Sequence, residues 1–329
     1  MCRNTVTRSR QISAACSVDA VIPVFRPDRD DKLSEALKAL STQTIAPARI
    51  IIMNTGREYF TGWAEKEKLA ERYPGLTVEH ISRNAFDHAA TRNEGAALGD
   101  HRFILFMTMD AVPADDRLIE HMIADLAADD KCAAVYARQL AAEDAPTEER
   151  AAREFNYPEL SRTKTADDEK TLGIKAAFLS NVCAMYRRDV FESLGGFEAP
   201  AIFNEDMVFA HKLLRAGYHI RYAADARVIH SHDYGAADQF RRNFDLGVSQ
   251  AMHPEVFGGV RSEGEGARFI KSVTVQLIRN GEILRIPGFL FVCAARYAGY
   301  TAGRNFRHLP RVLVLRFTGN RYFWKKWYG

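Results

Sequence analysis

The chain has 329 residues, 47% hydrophobic and 26% charged, enough apolar material for one large domain with an appendage or two modest domains. Its five cysteines (Cys2, Cys16, Cys132, Cys183, Cys293) are odd in number, far apart and never in a C-x-x-C pair, which argues against a disulfide framework or a zinc knuckle and for a reducing compartment. The net charge of +3 joins two unlike parts: residues 268–329 hold twelve Lys or Arg against the single acid Glu282, a net of +11, so residues 1–267 carry −8.

Residues 1–17 are polar and basic and lack the apolar stretch of a secretory signal, so a flexible N-terminus is expected there. No uncharged apolar run reaches the roughly 18 residues of a membrane span, so the expected location is the cytoplasm. Val18–Phe25 is a short apolar run bounded by turn residues, as in a buried parallel strand. Leu33, Ala36, Leu37 and Leu40 make a helical stripe, and a second strand, Arg49–Met53, ends in Asn54-Thr55-Gly56. A polar helix over about 58–72, a strand at Thr77–Ile81, a helix from Asp87 to Leu98 and a strand at Arg102–Met107 follow. A helix at Arg117–Ala128 and a strand at Ala133–Arg138 complete a β-α-β series, which predicts a mostly parallel sheet covered on both faces. Ligands of such sheets bind beyond the carboxyl ends of the strands.

Residues 141–168 are charged and weakly apolar, read as a helix plus a mobile loop able to act as a lid. Apolar patterning returns in a strand at Val182–Tyr186, a short helix at Arg188–Leu194 and a helix at Glu205–Ala216 stopped by Gly217.

Four places can carry chemistry. Asp110, emerging from the fourth strand, either caps a turn or binds a divalent cation that would neutralise a leaving diphosphate. Glu205 and Asp206 open a helix, where acids complement the helix dipole or serve as a general base, with the helix N-terminus expected to keep Asp206 ionised. His230-Ser231-His232 places two imidazoles on one side of a strand end, either as hydrogen-bonded structure or as a metal or phosphate pair. In Phe86–Gly95, Asp87 can cap a helix, and Arg92 and Asn93 are either solvated surface or ligand contacts.

In this order and at these separations the segments resemble glycosyltransferase family 2 with the GT-A fold, in its rhamnosyltransferase-like branch. That branch shows I-P-V-[YF], F-[ND]-H-G-G-T-R-N, T-Q-D-A, N-E-D, H-S-H-x-Y and R-R-x-F-D-x-G. The chain has Ile22–Phe25, Phe86–Asn93, Thr108–Ala111, Asn204–Asp206, His230–Tyr234 and Arg241–Gly247 at the corresponding places. The likeness spans roughly residues 18–250.

The resemblance implies a GT-A catalytic domain at 18–235, with a mostly parallel central sheet flanked by helices, followed by a helical region at 236–329. It implies inverting, metal-dependent transfer of a sugar, with rhamnose favoured, from a nucleoside diphosphate sugar to a cell-surface glycan or lipid-linked acceptor. Asp206 would be the base, and Asp110, His230 and His232 would meet Mg²⁺ or Mn²⁺. Pro23, Phe25, Asn54, Arg83, His88, Arg92, Thr108 and Asp110 would line the donor, and Asn181 and Glu205 the acceptor side. Asn54 stands where an acid is usual, Met109 replaces Gln and Ala89-Ala90 replace Gly-Gly, which leaves the nucleotide and sugar open. The competing reading is a GT-A-fold glycan- or nucleotide-binding protein without activity. A nucleotidyltransferase is disfavoured because Val24–Asp28 lacks a glycine-rich phosphate loop.

The basic C-terminal part interleaves its cations with Phe, Tyr and Trp, a mixture expected at an anionic membrane surface. Packing or homo-oligomer contact is the alternative, and a nucleic-acid partner is not expected. Ile286–Tyr300 is an apolar helix interrupted by Arg296, expected to lie on the inner face of the cell membrane rather than cross it.

Overall fold

The structure, a computed structural model, describes residues 17–232, 234–258 and 263–329. The N-terminal segment expected to be flexible therefore lies, Ser17 apart, outside the described residues, as does Asp233 of the histidine motif.

Among the described residues nine strands form one sheet: β1 (Val18–Phe25), β2 (Arg49–Thr55), β3 (Leu76–Ile81), β4 (Phe103–Met107), β5 (Val112–Pro113), β6 (Cys132–Leu140), β7 (Arg162–Lys164), β8 (Cys183–Arg187) and β9 (His219–Ile229). Their order is β3-β2-β1-β4-β8-β6-β9-β5, with β7 on the edge of β9. Strands β1 to β4, β6 and β9 share one direction, and β8 runs against β4 and β6 between them. Alternate residues serve opposite faces, as a pleated strand requires. In β4, Phe103, Leu105 and Met107 join one core and Ile104 and Phe106 the other. Helices α1 (Lys32–Ser41), α2 (Arg57–Lys66) and α4 (Leu118–Ala127) cover the first face. Helices α3 (His88–Ala97), α6 (Arg188–Ser193) and α7 (Glu205–Arg215) cover the second.

Several segments differ from expectation. Strand β2 runs on through Asn54 and Thr55, where a turn was expected, and β5 was not anticipated. The helix expected over 58–72 stops at Lys66, because Lys68 takes a left-handed φ of 51° before one further turn at Leu69–Arg72. Strand β6 runs past Arg138 to Leu140, held parallel to β9 by the pairs Gln139–Val228 and Leu140–Ile229. Residues 141–168 hold the expected helix, but a strand stands where a loop was expected. Helix α5 (Thr147–Asn156) buries Ala151 against the C-terminal helices, and β7 joins the sheet.

Helices α8 (Ala236–Met252), α9 (Glu263–Arg279), α10 (Ile286–Arg304), α11 (Arg311–Phe317) and α12 (Arg321–Trp327) form the C-terminal part. They are bound to the sheet domain rather than appended to it. Phe244, Val248, Phe306, Val314, Phe323 and Trp324 make a third core with Ile202. Arg285 grips Glu148 with two hydrogen bonds of 2.9 Å. No described helix is long and apolar enough to cross a membrane.

Candidate active site

A cleft of about 370 Å³ lies at the carboxyl end of the sheet, between the β4 turn, the start of α7, the end of β9 and helices α5, α8 and α10. Two groups of side chains open on it.

The first group begins with Asp110, in the turn after β4. His230 Nε2 lies 3.5 Å from its Oδ1, and His232 Nε2 lies 3.5 Å from its Oδ2. Just past the end of β9 the two imidazoles come together, as expected, edge to face with centroids 4.3 Å apart. Tyr234 stacks on His232 at 4.5 Å. Burial raises the Asp110 carboxyl, but His230 and His232 outweigh it and hold it well below the usual carboxylate range. Burial pushes both histidines down, His232 to about 3, so near pH 7 the rings are neutral beside an ionised carboxylate. One ligand atom from each residue lies within 4.8 Å of the others. Neutral imidazole nitrogens with an ionised carboxylate are the deprotonated donor set that a divalent cation requires, so these residues fit a metal site.

The second group opens α7. Asn204 takes a left-handed φ of 60°, a conformation that Asn tolerates, and turns the chain into the helix. Glu205 points inward, buried, with Arg92 Nη1 at 3.2 Å and the Asn181 amide donating at 3.2 Å. Burial pushes Glu205 upward, but Arg92, His88 and Asn181 outweigh it and hold it below its ordinary value. Asp206 faces the cleft. Its Oδ2 accepts from the Asn181 backbone amide at 2.9 Å and its Oδ1 from that of Met207 at 2.8 Å. The expectation that the helix N-terminus keeps Asp206 ionised is not met: burial and the charge of Glu205 push it up to about 7.

His88, Arg92, Thr108, Asn181, Glu205, Asp206, His230 and His232 all line this cleft, and Asp110 adjoins it through the two histidines. Arg92 is buried and ion-paired, not solvated, and Asn93 clamps the Phe197 backbone with bonds of 2.8 and 3.0 Å. Asp87 caps α3 through Ala89 and Ala90, as predicted, and also accepts from the Ala201 amide at 2.9 Å.

Pro23, Phe25, Asn54 and Arg83 are not among the residues lining this cleft. Pro23 sits within β1 beside Met53 of β2. Asn54 is buried, its amide 2.9 Å from His80 Nδ1 on the next strand. Arg83 lies over the Phe25 and Tyr59 rings at 5.5 and 5.0 Å and pairs with Glu58 at 2.7 Å. This exposed patch adjoins the Asp110 turn, since the Phe25 amide meets Met109 Sδ at 3.5 Å.

Sequence reasoning missed Gln139, Arg153, Tyr157, Gln239 and Arg296 as cleft residues. Arg296 carried a signal, a lone charge in an apolar helix, but the bilayer explanation absorbed it. The structure puts it in the cleft wall instead, over the Phe269 ring at 5.5 Å.

The family described as Glycosyl transferase family 2 matches residues 19–195. The O-antigen chain rhamnosyltransferase RfbN of Salmonella typhimurium is 37% identical over 292 residues, 88% of this chain and 90% of that protein. The O-antigen chain rhamnosyltransferase WbaN of Salmonella anatum is 36% identical over 312 residues, 94% and 96% of the two chains. Among solved structures, the mannosyltransferase PcManGT from Pyrobaculum calidifontis, in complex with GDP-Man and Mn²⁺, superposes with a TM-score of 0.60 at 14% identity, covering 87% of this chain and 86% of its own. Residues 1–349 of TarS from S. aureus give 0.50 at 13% identity, covering 88% of this chain and 91% of that fragment.

Proposed function

Because the chain belongs to glycosyltransferase family 2, we propose that it moves rhamnose from a nucleoside diphosphate to a cell-surface glycan or lipid-linked acceptor, with inversion and with a divalent cation. One observation carries the reading: the Asp110–His230–His232 group and the Asp206 carboxylate open on the same cleft.

In this reading Asp206 takes the acceptor hydroxyl's proton as that oxygen bonds to the anomeric carbon and the bond to the diphosphate breaks. The amides of Asn181 and Met207 hold the carboxylate in place, which limits the motion needed to reach the reacting geometry. Arg92 and Glu205 pair beside it, so of the two neighbouring acids Asp206 is the one left to exchange a proton. Asp110, His230 and His232 would hold Mg²⁺ or Mn²⁺, which when bound supplies positive charge to the departing diphosphate. Asp110 also keeps its carboxylate ionised for that purpose. The names of the two Salmonella relatives support rhamnose and a polysaccharide acceptor.

The reading extends to the inner face of the cell membrane. Around the turn joining α9 and α10, Ile278, Ile283, Leu284 and Phe291 are exposed, and Arg268, Lys271 and Arg279 line the adjoining face of α9. Apolar side chains next to cations suit an anionic bilayer surface.

Thermal unfolding with a panel of dTDP-, UDP- and GDP-sugars, with and without Mn²⁺ or Mg²⁺, tests the donor site. A ligand of the folded state raises its stability by mass action. The expected result is a cation-dependent shift with one nucleotide class that disappears in Asp110→Asn. No shift with any nucleotide in the unaltered protein removes the transferase reading.

A further inference from the structure

We infer that Gln139, held in one orientation by Arg153, locks the His230 ring in the tautomer that offers Nε2 to a divalent cation. This rests on reading Asp110, His230 and His232 as cation ligands.

Gln139 is 2% exposed near the end of β6, where it touches four polar groups. Its Oε1 lies 2.6 Å from Arg153 Nη1 and 2.9 Å from His230 Nδ1. Its Nε2 lies 2.6 Å from the Tyr157 hydroxyl and 3.0 Å from the Ser180 hydroxyl. A guanidinium donates and never accepts, so the amide atom beside Arg153 must be the carbonyl oxygen. The two hydroxyls accept from the other end, so rotating the amide would set its NH₂ against the guanidinium. Arg153 is itself anchored by Glu149, at 3.0 and 2.9 Å.

With Oε1 facing it, His230 Nδ1 must carry the hydrogen. A neutral ring has only one, so Nε2 presents a lone pair. Asp110 Oδ1 lies 3.5 Å from that nitrogen. A cation there would be held by the bare ring nitrogen and the carboxylate together. The backbone reinforces the placement, since the His230 amide donates to the Leu140 carbonyl at 2.9 Å. Gln139 and Arg153 are thus positioning residues for a ligand, one shell removed from the cation.

The test combines ring-nitrogen NMR on protein labelled with ¹⁵N-histidine, without metal, and Mn²⁺ affinity from the EPR signal of free Mn²⁺. In the unaltered protein His230 should show a protonated Nδ1 and a bare Nε2. Gln139→Leu should weaken Mn²⁺ binding by about 10–100-fold and move the hydrogen to Nε2, and Arg153→Met should change both readouts in the same direction. Gln139→Glu, which still accepts from both partners, should keep the tautomer and the affinity. Arg153 lies at the cleft rim, so its variant serves if Gln139→Leu does not fold. The inference is overturned if Nε2 is protonated in the unaltered protein, or if Gln139→Leu and Arg153→Met bind Mn²⁺ as it does. An unaltered protein with the inferred tautomer but no Mn²⁺ binding overturns the cation reading itself, a distinguishable result.

Discussion

Glu205 and Asp206 are neighbours in sequence with opposite electrostatic surroundings. Glu205 turns inward to Arg92 and is held ionised, whereas Asp206 has two backbone amides, its neighbour's charge and a desolvating cleft, and is pushed up to about 7. A base with that value is protonated in acid, so kcat/KM should rise with pH and level off above neutrality. Asp206→Asn should lower kcat by about 10²–10⁴-fold and leave the donor-induced thermal shift in place. A variant with near-normal turnover would remove Asp206 from the base role. Stability should run the other way. Since the folded value lies above that of the unfolded chain, the protonated acid stabilises the fold at low pH, and this contribution is lost as pH rises through about 7. The dyad was legible from its place before an apolar helical stripe. Which member is paired was not, because Arg92 lies more than a hundred residues earlier in the chain.

The pair of helices α8 and α10 depends on glycine. A Cβ on Gly299 would strike the Phe240 carbonyl oxygen, one on Gly303 that of Phe244, and one on Gly247 that of Tyr300. These obstacles are backbone, which cannot turn aside, so the helices touch only because side chains are absent. The R-R-x-F-D-x-G motif is therefore partly structural. Gly247 admits α10, and Asp245 accepts from the Thr318 hydroxyl at 2.6 Å and the Gly319 amide at 2.8 Å, while Arg242 lines the cleft. Gly303→Ala should destabilise the protein by about 1–3 kcal/mol through overpacking, offset only in part by Ala's better helix propensity. Gly288→Ala, with nothing within 4 Å of the added carbon, should be neutral or slightly stabilising. Urea unfolding of both variants checks the contrast, and equal effects would mean that the helices adjust freely. Most strand and helix boundaries of the first 140 residues followed from apolar periodicity; the exceptions include a helix that the backbone of Lys68 ends early and β6, which pairing with β9 carries on to Leu140.

Across the molecule the C-terminal helices complete the enzyme's cleft, since Gln239, Arg242 and Arg296 stand in its wall. Removing residues 268–329 would take Arg296 from the cleft and strip the cores around Ala151 and Val248, so truncation is a poor test of membrane binding. Substitution at the exposed turn is a cleaner one. The intact protein should float with vesicles containing anionic lipid at low salt and stay behind with neutral ones. Leu284→Asp with Phe291→Ser should abolish flotation while thermal unfolding is unchanged. Equal flotation of the substituted protein would assign this surface another role.

Local pattern was enough for the α/β class, the order of strands and helices in the first half, the Asp87 cap and the set of motifs that mark the family. Each of these depends on residues within a few positions of one another, where periodicity and capping chemistry act directly. The tertiary structure decided which polar residues face one another: Arg92 with Glu205, Gln139 with His230, and Arg296 with the cleft rather than a bilayer. Those pairings come from strand order and helix docking. Their electrostatic results depend on burial, which no local spacing records.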